Sequence, residues 1–68
     1  MQVVMDADAQ RALLHRLNNQ LGVILAHAEL LEAKALDAAQ RGRASQVVNA
    51  ALQAMAVSRE LRGSVDEQ

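Results

Sequence analysis

His15 is the residue in this chain best placed to do chemistry. It sits in the stretch Leu13-Leu14-His15-Arg16-Leu17-Asn18-Asn19-Gln20-Leu21-Gly22-Val23-Ile24-Leu25. An imidazole has an ordinary pKa of about 6.5, so near pH 7 its neutral, nucleophilic form is abundant. His15, Asn19 and Gly22 are spaced four and three apart, which puts them on one stripe of a helix. Leu14, Leu17, Leu21 and Ile24 form a different, apolar stripe. A histidine on the open stripe, beside amides and a position with no side chain, is accessible to a second molecule acting on its ring.

The element that must carry His15 is legible from its neighbours. The chain has no proline, and alanine and leucine are abundant, so most of it is expected to be helical. Leu14, Leu17, Leu21, Ile24, Ala28, Leu31 and Ala35 alternate three and four without a break. That is the period of helices lying nearly parallel or antiparallel. Leu13, Leu25 and Leu30 widen the stripe, as a bundle requires. Asp6 predicts an N-cap, Asp8 suits the positive end of the helix dipole, and the first helix is expected over about 7–35.

For the break, either Asp37 caps a second helix beginning at Ala38, or Gly42 and Ser45 form the turn. We prefer Asp37, because the second helix is then long enough to lie along the first, over about 38–62. Val48, Leu52, Met55 and Leu61, with Ala44 and Ala51, are its expected apolar side. Gly63 is expected to end it, with Ser64 to Gln68 fraying.

With 68 residues, the chain is a single domain. A monomer of this size buries little apolar surface, and there is no cysteine to cross-link it. Aromatic residues are absent. Two helices cannot enclose a core, but two copies of a hairpin can. The expected fold is therefore all-α: an antiparallel helical hairpin that forms a homodimeric four-helix bundle.

The net charge of -1, with acids and bases mixed, argues against nucleic acid as a partner. No apolar run approaches the ~20 residues of a membrane span, and no secretory signal is evident, so a cytoplasmic location is expected. No metal site is expected. His15 and His27 lie about 18 Å apart along one helix, and His27 reads as a boundary or surface residue. The methionines read as core fillers, and the groups Arg41, Arg43 and Arg59, Glu60, Arg62 as solvated faces.

The sequence His15-Arg16-Leu17-Asn18-Asn19-Gln20-Leu21, followed by Val23-Ile24-Leu25 and Glu29-Leu30-Leu31, resembles the phosphoacceptor motif of sensor histidine kinases. That motif lies on the first helix of their dimerisation and histidine-phosphotransfer domain. The resemblance is close over the histidine box and looser over about residues 10–62. It implies that His15 carries a phosphoryl group and exchanges it with the aspartate of a response-regulator receiver domain. It also implies that Asn19 positions a water or the phosphoryl group. Two positions depart from the commonest pattern: an acidic residue and a proline are replaced by Arg16 and Gln20. A second branch of histidine kinases has histidine-arginine, an asparagine-rich stretch and leucine, and His15-Arg16, Asn19 and Leu21 follow that spacing.

Under this resemblance, Arg16 or Arg11 supplies charge to a phosphoryl group or to an acidic receiver pocket. Arg11, Asn18 and Gly22 contact the partner. For Gly22, close helix packing is an equally good reading. The chain has only three scattered glycines and no glycine-rich ATP lid. The expectation is a phosphotransferase-type module, free-standing or part of a larger protein, and not an autonomous ATP-dependent kinase. It needs no cofactor of its own, because Mg²⁺ comes with the receiver. A separate histidine kinase or ATP-binding domain is a further expected partner. The alternative is a helical dimer that binds a receiver or kinase as an adaptor without being phosphorylated.

Overall fold

The computed structural model describes residues 6–66, and they form two helices joined by a short turn. α1 spans Ala7–Ala33 and α2 spans Ala38–Asp66. The helices lie antiparallel against each other along their length, as a hairpin. No helix is long and apolar enough to cross a membrane among the described residues.

Both helix starts are made by aspartates. The Asp6 carboxylate accepts from the Ala9 N–H at 2.7 Å, which satisfies one of the donors orphaned at a helix N-terminus. Asp37 repeats the arrangement for α2, accepting from the Gln40 N–H at 2.8 Å. The Gln40 side chain reaches back to accept from the Leu36 N–H at 3.2 Å. This reciprocal pair, similar to a capping box, places the turn at residues 34–37 rather than at Gly42 and Ser45.

α2 does not stop at Gly63, where a C-terminal glycine was expected to end it. Gly63 keeps a helical backbone with no positive φ, and the helix continues to Asp66. A mid-helix glycine costs about 1 kcal/mol relative to alanine. Val65 offsets that cost, because it is half-buried and shares a groove with Leu13, Leu14 and Leu61. The fraying expected over Ser64 to Gln68 falls partly outside the described residues, as do Met1 and Met5. Met55 is half-buried in the seam between the helices.

That seam is built by matching large residues to small ones. On α1 it runs Leu14, Asn18, Leu21, Leu25, Ala28, Glu32 and Ala35, all half-buried or buried. On α2 it runs Ala44, Val48, Ala51, Met55 and Ser58. Ala44, Ala51 and Ser58 recur every seven residues and are buried at 8, 5 and 3% exposure. With Ala28 they are the deepest side chains described, and no large side chain is fully buried. Small residues on α2 let the two backbones approach, while Leu14 and Leu21 on α1 fill the remaining space. A hydrogen bond from the Ser45 hydroxyl to the Glu32 carboxylate ties the helices near the turn.

The expected apolar stripe splits in two here. Leu14, Leu21, Ala28 and Ala35 face α2, whereas Leu17, Ile24 and Leu31 are exposed. One helix subtends only one side of its neighbour, so a stripe wide enough for a bundle is half covered in a hairpin. Leu52 and Leu61 on α2 are likewise about half exposed, although Val48 and Met55 are more covered.

Candidate functional site

α1 holds His15 on a rigid rod, in the third turn from the Asp6 cap. The ring is exposed. It lines an open cleft together with Arg11, Ala12 and, from the far end of α2, Arg62. Arg11 precedes His15 by one turn and is paired with Asp8 at 2.8 Å. Arg62 reaches the same cleft because the antiparallel hairpin returns the end of α2 to the start of α1.

A second recess of about 90 Å³ adjoins this cleft and is lined by Leu14, Asn18, Ser58, Arg59 and Arg62. Arg62 thus borders both spaces. Asn18, expected on the outer surface as a docking residue, is instead half-buried between the helices. The reason is its register, four residues from Leu14 and three from Leu21, which is the seam itself. Its Oδ1 is shielded from solvent and has no hydrogen-bond partner among the described residues. A shielded amide oxygen left unpaired costs about 1–3 kcal/mol, so this atom is primed to accept a donor.

The remaining predicted residues fall around this pair of spaces without lining them. Asn19 and Arg16 are exposed on the outer side of α1. Gly22 follows His15 by two turns on the same side, and a Cβ placed there meets nothing within 4 Å. Close approach of α2 therefore does not require this glycine. Arg62, read from the sequence as part of a solvated face, is the residue that sequence reasoning missed; Arg59 lines the recess but not the His15 cleft. The available signal was the continuation of the α2 seam, since Arg62 follows Ser58 by four residues and Val65 follows Arg62 by three.

The opposite face of the hairpin is mainly apolar along its middle. Along α1, Leu13, Leu17, Gln20, Ile24, His27 and Leu31 are spaced four, three, four, three and four. Along α2, Val47, Ala50, Ala54, Val57 and Leu61 are spaced three, four, three and four. Leu31 and Val47 line one groove between the helices together with Lys34, Gln40 and Arg43, and Leu13 and Leu61 line another at the other end beside Gln10 and Ser64. Ile24 and Leu31 are 48 and 68% exposed on this side. The arrangement is a hairpin about one helix thick, with extents of 47 × 24 × 15 Å, carrying His15, Arg11 and Arg62 on one broad face and a mainly apolar stripe, interrupted by Gln20 and His27, on the other.

Among the described residues no group of three or more His, Cys, Asp or Glu side chains is gathered as a metal site. The chemistry available at the cleft is that of a solvent-facing imidazole beside guanidinium groups. This suits nucleophilic attack on, and retention of, an anionic group. No protein-family model matches the chain, and no curated protein or solved structure is significantly similar to it.

Proposed function

We propose that this chain is a histidine-phosphotransfer domain of a two-component signalling pathway. In this reading His15 accepts a phosphoryl group and exchanges it with the aspartate of a receiver domain. The observation that carries the reading is the placement of His15: an exposed imidazole on a capped helix, in a cleft that also holds guanidinium groups. Phosphoryl transfer depends chiefly on positioning and charge stabilisation, so a rigidly held nucleophile suffices on this side. The aspartate and its Mg²⁺ come with the receiver. Asn19 positions the phosphoryl group or a water, and Arg16 and Arg11 supply charge. The open space beside Gly22 accepts a docked partner helix.

The working unit in this reading is a homodimer. The face bearing Leu17, Ile24, Leu31, Val47 and Leu61 is the surface through which two hairpins join as a four-helix bundle, leaving each His15 on the outside. Support comes from the apolar periodicity of both helices on that side and from the thin core of one hairpin, whose deepest residues are three alanines and a serine.

The test is incubation with a phosphorylated receiver domain, followed by detection of acid-labile phosphate on the chain. Label is expected on the native chain and absent from His15→Ala, with helicity and mass in solution unchanged. Receiver binding without label would establish the adaptor reading instead.

A further inference from the structure

We propose that Arg62, reaching across the hairpin from α2, grips the phosphoryl group on His15, and that Asn18 positions the Arg62 guanidinium. The inference rests on the phosphotransfer reading and adds to it an anion-binding side chain from the second helix.

Three observations converge on Arg62. It occupies the position at which the α2 seam, Ala44, Val48, Ala51, Met55 and Ser58, calls for an apolar residue, and it is exposed. With Arg11, it lines the cleft that holds His15. Arg11 is already paired with Asp8 at 2.8 Å. Arg62 has no ion pair among the described residues, and neither has Arg59. Finally, Arg62 also borders a recess lined by Asn18, whose shielded Oδ1 has no partner among the described residues. A guanidinium carries five donors in a fixed fork. One N–H given to Asn18 Oδ1 satisfies the shielded acceptor and leaves a parallel pair of donors for two phosphoryl oxygens at His15.

The covalent step can be run with phosphoramidate as the donor. The unprotonated ring nitrogen of neutral His15 attacks phosphorus with its lone pair, the P–N bond of the donor breaks, and its electron pair leaves with ammonia. The other ring nitrogen of the phosphorylated imidazole then gives up its proton, which ammonia or solvent takes. Arg62 acts on the phosphoryl oxygens, whose charge it balances in the transition state and in the product.

The experiment compares labelling rates of the full chain and its variants with phosphoramidate, with helicity and dimer mass checked for each. Arg62→Gln is expected to slow labelling of His15 by about tenfold or more, the scale of a lost charge-assisted hydrogen bond. Arg62→Lys should recover part of the rate. Arg59→Gln, which changes the same charge but does not border the His15 cleft, should stay within about twofold of the native chain. Asn18→Ala should slow labelling when Arg62 is present and add nothing in the Arg62→Gln background, a dependence that a general loss of packing does not produce.

Titration with inorganic phosphate gives a second readout. The side-chain resonances of Arg62 and His15 should shift together and saturate, and the Arg62→Gln chain should lose the His15 response. If His15 is labelled but Arg62→Gln matches the native rate, or Arg59→Gln falls as far, this inference fails and the phosphotransfer reading stands. A native chain that takes no label from phosphoramidate or from a phosphorylated receiver overturns both.

Discussion

The two broad faces of the hairpin start from the same helical period and end with opposite surfaces. On one, Leu13, Leu17, Ile24 and Leu31 of α1 lie beside Val47 and Leu61 of α2, interrupted by Gln20 and His27 and bounded near the turn by Lys34, Gln40 and Arg43. On the other, Arg62 of α2 shares a cleft with Arg11 and His15 of α1, and Asn18 lines the adjoining recess. An apolar surface is stabilised by excluding water, whatever the detailed shape of the partner. A cluster of cations beside an imidazole instead needs an anion at a defined place. In the proposed reading, one thin element divides its duties: the first face serves permanent association, and the second an encounter that must begin and end.

The largest expected effect comes from breaking the apolar face. Ile24→Lys puts a charge in the middle of the proposed dimer surface, and an unpaired buried charge costs about 3–5 kcal/mol. Analytical ultracentrifugation should show monomers, with most of the cooperative thermal transition lost. The matched change on the other face, His15→Lys, should leave mass and melting nearly unaltered. If the two substitutions behave alike, the division between the faces is wrong.

Next in size is a change in the seam that both faces share. Ala51 is 5% exposed, and Ala51→Leu forces the helices apart at a site matched to a small residue. Overpacking of this kind costs about 1–3 kcal/mol. Urea titration should show it, together with a loss of labelling at His15, because the register that brings Arg62 to the cleft is disturbed.

A smaller effect is expected at the turn. Asp37→Ala removes the acceptor for the Gln40 N–H and should cost about 1 kcal/mol in the same titration. It lies far from the His15 end, so the labelling rate should be retained.

The smallest change should separate stability from docking. A Cβ at Gly22 meets no atom of the hairpin, so Gly22→Ala should stabilise the chain by up to about 1 kcal/mol. If the space beside Gly22 admits a receiver helix, transfer from a phosphorylated receiver should slow, while labelling by phosphoramidate is unchanged. Equal rates with both donors would remove Gly22 from the docking surface.

Much of this molecule was legible along the chain. Asp6 and Asp37 announce both helix starts, because a cap is a contact between residues three apart and needs no tertiary information. The exposure of His15 also follows from its angular separation from Leu14 and Leu21 on α1. Gly63 was misleading as a stop signal, since its local cost is small against the contacts of Val65 beyond it. Asn18 was misread as a surface amide. A seam that includes polar positions cannot be traced by hydrophobicity alone.

Sequence alone thus determined two capped helices and a histidine turned away from their apolar stripe, since each depends on contacts within a few residues. Tertiary structure decided which half of that stripe α2 covers, that Asn18 points into the seam, and that Arg62 comes to rest beside His15. These depend on the antiparallel register, in which Leu14 lies by the small residue Ser58 at one end of the seam and Ala28 by Ala44 nearer the turn. Size matching of that kind operates between segments distant in the chain, and the period of a single helix carries no record of it.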